Sequence, residues 1–305
     1  LLQHRIPDRT GVPFISMISM PQPDQYRVLG HPVEHSKSPQ IHTRFAELTG
    51  QNMVYDRQCV PLDGFVQAVD FLRATGVRGC NVTVPFKFEA FRYAQQHGRV
   101  SERAALAQAC NTLSFEGGSV FADNTDGIGL VNDIQTHAGR SLAGRDVLII
   151  GAGGAAAGCL APFVQAGARR IAVANRSPEK AQALVAQHLA MARHGGVTLG
   201  AYGLDDIPGP FEFVVNASAS SLAGEAAPVS AEVLTPDTLV VDLMYGPASQ
   251  GFLDWVRQQG AEGRDGLGML VEQAAEAFQL WRGVRPDSAQ VLAELEAARR
   301  APATL

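Results

Sequence analysis

Asp146-Val147-Leu148-Ile149-Ile150-Gly151-Ala152-Gly153-Gly154-Ala155-Ala156 is the stretch on which the fold turns. Its first part reads as a continuous apolar strand, the pattern expected when both faces of a parallel sheet are covered. The rest fits G-x-G-x-x-A and opens a helical pattern. Glycines there allow a tight turn and a close approach of backbone to a pyrophosphate, and the helix start offers unpaired N–H groups and a positive dipole end. Placement between a strand and a helix makes the pattern far more specific than an isolated glycine motif. Gly151, Ala152, Gly153, Gly154 and Ala155 are therefore candidate dinucleotide contacts. A glycine turn kept only for tight packing is the competing reading.

The end of the next strand bears on which dinucleotide. An acidic residue there would hydrogen-bond a ribose 2′-hydroxyl, as NAD sites do. This chain instead carries Asn175-Arg176-Ser177, with Lys180 one turn further on. A neutral residue followed by Arg and Lys suits a 2′-phosphate, because guanidinium holds phosphate in two-point geometry. NADP(H) is the expected cofactor.

Outward from this loop, strand, turn and helix alternate. Ile171–Ala174, Phe213–Val215 and Leu239–Leu243 read as further buried strands, separated by helices near 155–166, 178–193 and 249–259. Upstream, Tyr26–Leu29 and Val54–Val60 read as strands. Ile41, Phe45 and Leu48 share one helical face, as do Phe65, Val69 and Leu72. Helices are expected near 88–97 and 101–108, and a hairpin turns at Gly117-Gly118. Two helical stretches, 267–281 and 287–299, close the chain. The expected class is α/β with two domains.

A second informative stretch is Asn81-Val82-Thr83-Val84-Pro85-Phe86-Lys87. Read as extended, it places Val82, Val84 and Phe86 on one side and Asn81, Thr83 and Lys87 on the other. Pro85 removes a ladder donor, so the strand should end or run along an edge there. An ordinary surface strand could show the same alternation.

Bulk properties narrow the classes. A chain of 305 residues that is 46% hydrophobic supports a large core and leans toward two domains. The net charge of −5 and the lack of any long basic run argue against a nucleic-acid surface. No stretch approaches the ~20 apolar residues of a membrane-spanning helix. Cys59, Cys80, Cys110 and Cys159 lie far apart and form no C-x-x-C pair, which favours free thiols, no metal site and a cytoplasmic setting. Arg5 and Arg9 ahead of Val12–Met20 faintly resemble a signal sequence, but Gly11 and Pro13 interrupt the region. Residues 1–25 are expected to form a mobile extension.

Three further motifs join these two stretches: His35-Ser36-Lys37-Ser38-Pro39, Asn111-Thr112 and Asp123-Asn124-Thr125-Asp126-Gly127. Asp265-Gly266-Leu267-Gly268-Met269-Leu270 follows near the C-terminus, with Gln273 beyond it. Taken in order, the set resembles the shikimate dehydrogenase family over about residues 26–295. The resemblance implies an N-terminal α/β substrate domain (26–126) completed by the C-terminal helices (267–305). A Rossmann-like NADP-binding domain (127–266) would be inserted between them. It also implies NADPH-dependent reduction of 3-dehydroshikimate to shikimate, a step toward aromatic amino acids, by a monomer or homodimer.

By that resemblance Lys87 and Asp126 form the catalytic pair. Hydride delivery to a ketone creates an alkoxide that needs a positioned donor and then a proton; which of the two transfers it stays open. Ser36 and Ser38 would hold the substrate carboxylate, although such hydroxyls also cap helices. Tyr245 would reach the same end. Asn81, Thr83, Asn111, Asp126 and Gln273 would read the ring hydroxyls. Leu243 and Gly266 would approach the nicotinamide.

The chain also departs from the family pattern. Leu243 stands where relatives often carry Met, and Ala157 where many carry Arg. Asn216-Ala217-Ser218-Ala219-Ser220 varies an N-A-T-S pattern, and a few residues are added between Lys87 and Asn111. These changes bear on cofactor affinity and leave the catalytic pair in place. Two rival functions remain at this level: an NAD-preferring quinate/shikimate dehydrogenase, and a non-catalytic regulator that binds dinucleotide and metabolite. Arg176, and two serines at 36 and 38 in place of a serine–threonine pair, weigh against the first. Retention of Lys87 and Asp126 weighs against the second.

Overall fold

The first sheet grows from a strand covered on both faces, with Tyr26 and Val28 on one and Leu29 on the other almost fully buried. In the computed structural model, which describes residues 22–218, 220 and 228–300, β1 (Asp24–Gly30) starts ahead of the expected Tyr26 boundary. There Asp24 pairs with Met53 and its N–H donates to the Asn52 carbonyl at 3.1 Å, while its carboxylate accepts hydrogen bonds from Arg78 and Arg282. Most of the expected extension, through residue 21, and residues 301–305 lie outside the described residues.

β1 pairs in parallel with β2 (Met53–Cys59) and β3 (Gly79–Val82). The antiparallel hairpin of β5 (Thr112–Glu116) and β6 (Ser119–Asp123) follows. β4 (Gly98–Val100), not anticipated from the sequence, runs parallel to β6, giving the six-stranded order β2-β1-β3-β5-β6-β4. α1 (Ser38–Thr49), α2 (Phe65–Ala74), α3 (Lys87–His97) and α4 (Glu102–Ala107) connect these strands.

One expectation fails here. β3 stops at Val82, and Phe86 N–H bonds back to the Thr83 carbonyl in a turn that delivers Lys87 to the start of α3. Alternation therefore does not reach Lys87. Val82 and Phe86 are each 1% exposed, whereas Val84 is 63% exposed.

The second sheet is wholly parallel: β7 (Asp146–Ile150), β8 (Arg170–Ala174), β9 (Thr198–Tyr202), β10 (Phe213–Asn216), β11 (Leu239–Asp242) and β12 (Glu262–Arg264). Its order, β12-β11-β10-β7-β8-β9, is the doubly wound arrangement that switches direction between β7 and β10. α6 (Gly154–Gln165), α7 (Pro178–His194) and α8 (Pro247–Gln258) cover it.

Two features join the halves. α5 (Asp126–Asn132) packs on α6 so closely that a Cβ on Gly127 would stand 2.0 Å from the Gly158 carbonyl oxygen. That approach sets the start of α5, where Asp126 is the first residue, against α6. The chain then returns through α9 (Leu267–Arg282) and α10 (Ser288–Arg300) to the first sheet. There Phe278 shares a core with Ile41 and Phe45, and Trp281 Nε1 donates to the Leu113 carbonyl at 3.0 Å. Among the described residues no helix is long and apolar enough to cross a membrane.

Candidate active site

Lys87 and Asp126 meet where the two halves face each other. Lys87 occupies the first turn of α3 and Asp126 the first turn of α5, and Lys87 Nζ donates to Asp126 Oδ2 at 2.6 Å. Both side chains are largely shielded, at 14% and 7% exposure. The other carboxylate oxygen, Oδ1, accepts from Asn111 Nδ2 at 2.9 Å. The carboxylate is thus held from two sides, and its ammonium partner keeps donors for a ligand.

Behind the pair lies a buried amide–hydroxyl network. Asn111 Nδ2 also lies near Thr125 Oγ1 (2.9 Å) and Gln273 Oε1 (3.1 Å), while Asn111 Oδ1 accepts from Thr125 N–H and Thr112 Oγ1. Asn81 donates through Nδ2 to the Asn111 carbonyl and Thr112 Oγ1, and its Oδ1 accepts from Tyr55 O–H at 2.7 Å. Partners of this kind are what buried amides require. They also orient the residues: toward a ligand, Asn81 offers only the remaining acceptor capacity of Oδ1.

Tyr55 was not anticipated. In the structure it is the buried large residue of β2, at 7% exposure. Its ring stacks on His42 at 4.2 Å, and burial drives the His42 imidazole down to about 3, so the ring is neutral. Burial also pushes the Tyr55 phenol well up.

Ser36 and Ser38 stand together, with 3.2 Å between hydroxyls, and Ser36 Oγ accepts from the Ser38 backbone N–H. Tyr245 packs against the core shared by α1 and α9. Its phenol is raised by burial, against which a hydrogen bond accepted from the Lys37 backbone N–H acts. That contact brings Tyr245 to the serine loop, although the two are about two hundred residues apart.

The glycine loop forms one wall of a cavity of about 570 Å³. Gly151, Ala152, Gly153, Gly154, Ala155, Asn175 and Arg176 line it from the second half, and Val84, Pro85, Lys87 and Phe88 from the first. Gly151 has φ +110°, and a Cβ there would stand 3.0 Å from the Ala217 backbone. No side chain caps α6, whose N-cap is Gly153, so its first N–H groups are left for a ligand. Cradle, helix start and Arg176 together fit a phosphorylated dinucleotide. Ser218 and Ser220, from the segment that varies the N-A-T-S pattern, also line the cavity, as do Leu204 and Pro228, which were not singled out from the sequence. Ser177 caps α7 by position and Lys180 is exposed on that helix; neither lines the cavity. Leu243 and Gly266 sit side by side, a Cβ on Gly266 reaching 2.5 Å from the Leu243 carbonyl.

Comparison with known proteins supplies the family. The shikimate dehydrogenase substrate binding domain family matches residues 28–113, the shikimate/quinate 5-dehydrogenase family residues 133–202, and the shikimate 5′-dehydrogenase C-terminal domain family residues 266–296. A shikimate dehydrogenase (NADP(+)) of Verminephrobacter eiseniae is 59% identical over 92% of this chain and 97% of its own length. One from an Acidovorax species is 58% identical over 90% and 96%. This chain belongs to the shikimate dehydrogenase family.

A solved shikimate 5-dehydrogenase from Thermus thermophilus, in complex with NADP(H) and shikimate, is 32% identical and superposes with a TM-score of 0.76 over 92% of this chain and all of its own. Within the family frame, the departure at Ala157 has a packing account. Ala157 is 2% exposed and belongs to the core with Val147 and Leu160, so it presents no group to the cleft. Nothing in the structure explains Leu243 in place of Met.

Proposed function

We propose that the chain catalyses the reversible NADPH-dependent reduction of 3-dehydroshikimate to shikimate. The observation that carries this reading is the Lys87–Asp126 pair, at 2.6 Å, with Lys87 lining the cavity whose opposite wall is the glycine loop. When bound, NADPH supplies the hydride that reduces the substrate carbonyl carbon. Lys87 then faces the oxygen on which negative charge develops, and a fixed ammonium in a shielded site stabilises that charge strongly. The Lys87–Asp126 pair delivers the proton that completes the alcohol, and takes it back in the reverse direction. Asn111 keeps Asp126 aimed at Lys87.

Ser36, Ser38 and Tyr245 anchor the substrate carboxylate, while Asn81, Thr83, Asp126 and Gln273 read its hydroxyls. Such a site rejects analogues that lack those hydroxyls, because its buried polar groups would be left unpaired. Gly151–Ala155 hold the pyrophosphate, Asn175 and Arg176 the 2′-phosphate end from the cavity wall with Ser177 and Lys180 just beyond it, and Leu243 and Gly266 the nicotinamide end. The domain division is proposed as 26–126 with 267–305 for substrate and 127–266 for cofactor. All four cysteines are free thiols, which supports a cytoplasmic setting.

A rate panel tests the reading. Purified protein is assayed by absorbance for 3-dehydroshikimate with NADPH or NADH, and for quinate with NAD. The expected result is a kcat/KM with NADPH roughly tenfold or more above NADH, as a paired 2′-phosphate implies. No NADPH oxidation, or quinate with NAD as the best combination, would overturn it.

A further inference from the structure

Val84 and Phe88 are 63% and 42% exposed, yet both stand in the wall of the cavity that faces the glycine loop. Phe71, by contrast, is 61% exposed on α2 and lines no part of that cavity. Phe88 Cζ comes within 3.7 Å, and Lys87 Cβ within 3.5 Å, of the place a Cβ would take on Gly154. The ring therefore overhangs the N-terminus of α6 from the other half of the molecule. Apolar surface aimed into a cleft gains free energy when a ligand removes it from water.

We propose that Val84 and Phe88 are cofactor-contacting residues, an apolar lip that the substrate half lays over the bound dinucleotide. The proposal rests on the dinucleotide reading of the cavity. Gly154 opens α6 at the pyrophosphate end and Lys87 packs against it, so the lip covers the dinucleotide where it passes over the start of α6. Phe88 follows Lys87 directly in α3, so a dinucleotide pressed against the lip also restrains the turn that carries the amine.

The test is NADPH binding by fluorescence titration, with KM measured for both substrates, in wild type, Phe88→Ala, Val84→Ala, Phe88→Leu and Phe71→Ala. Phe88→Ala should raise the NADPH Kd and KM roughly three- to tenfold, with the KM for 3-dehydroshikimate changed less than about twofold. Val84→Ala should shift NADPH in the same direction by less, Phe88→Leu should recover most of the loss, and Phe71→Ala should match wild type. Val84→Ala, at a more exposed position, keeps the test usable should Phe88→Ala fold poorly. An NADPH Kd within about twofold of wild type in every Phe88 and Val84 variant would overturn the lip. Wild type that binds no NADPH would instead overturn the cofactor reading itself.

Discussion

The two six-stranded sheets end in sites of opposite make-up. At the first, the working groups are side chains: Asn81, Asn111, Thr112, Thr125 and Asp126 are all buried and joined by hydrogen bonds. At the second, β7 contributes Val147, Leu148, Ile149 and Ile150 to the core, and the working groups are backbone N–H groups of a glycine turn. A side-chain site is vulnerable to the loss of any one partner, since a buried polar group left alone is costly. A backbone site tolerates changes of side-chain chemistry and is vulnerable to φ. The contrast fits the two ligands: a hydroxylated ring needs directional readers, and a pyrophosphate needs closely spaced donors.

The largest expected effect breaks the backbone side. Gly151→Val meets both a φ of +110° and the Ala217 backbone at 3.0 Å. Strain and overlap of about 4 kcal/mol should lower kcat/KM for NADPH about a thousandfold. Steady-state kinetics on the refolded variant checks this, and a loss of less than about tenfold would contradict it.

Next comes the side-chain side, at Asp123. It is 3% exposed and accepts from Arg103, from Ser101 Oγ and from the Asn124 backbone N–H. Burial alone would raise this carboxyl, but Arg103 together with the Ser101 and Asn124 hydrogen bonds outweighs it and holds the group below its ordinary value. A depressed carboxyl contributes stability that is complete above the unfolded value, ~3.9. That contribution is lost as pH falls through the lower folded value. Asp123→Asn should therefore cost roughly 3 kcal/mol in urea unfolding at pH 7. The gap from wild type should narrow below about pH 4, and a gap that widens in acid would be the wrong sign.

The smallest effect sharpens the contrast, because Arg176 is a side-chain reader inside the backbone site. Arg176→Gln should raise KM for NADPH roughly tenfold while leaving KM for NADH within about twofold, narrowing the preference between the two. Parallel titration of both cofactors measures it. Equal losses for NADPH and NADH would place Arg176 elsewhere than at the 2′-phosphate.

The two sites also differed in what could be read from the chain. The second sheet was legible because continuous apolar runs and a glycine loop are local signals, and β7, β8, β10 and β11 all stand close to where those runs place them. β9 and β12 were missed. Thr198–Tyr202 lies at a sheet edge with only partial burial, and Glu262–Arg264 is a three-residue strand without an apolar run. In the first sheet, alternation misled at Val84, because a turn after Val82 reset the faces before Lys87. Tyr55 was invisible for another reason. Its importance comes from the pairing of β2 and β3 on opposite sides of β1, across which its hydroxyl reaches a residue 26 positions away in β3. Periodicity within one strand carries no information about its neighbour. The lip at Val84 and Phe88 is a contact between halves and likewise has no local signature.

The most direct test of the account is Lys87. Steady-state NADPH oxidation with 3-dehydroshikimate is compared for wild type and Lys87→Ala, with NADPH binding measured on both as the check that the cofactor site is intact. The account predicts a kcat lower by about a thousandfold or more, with NADPH affinity within a few-fold of wild type. A variant that binds NADPH normally and turns over within about tenfold of wild type would contradict it.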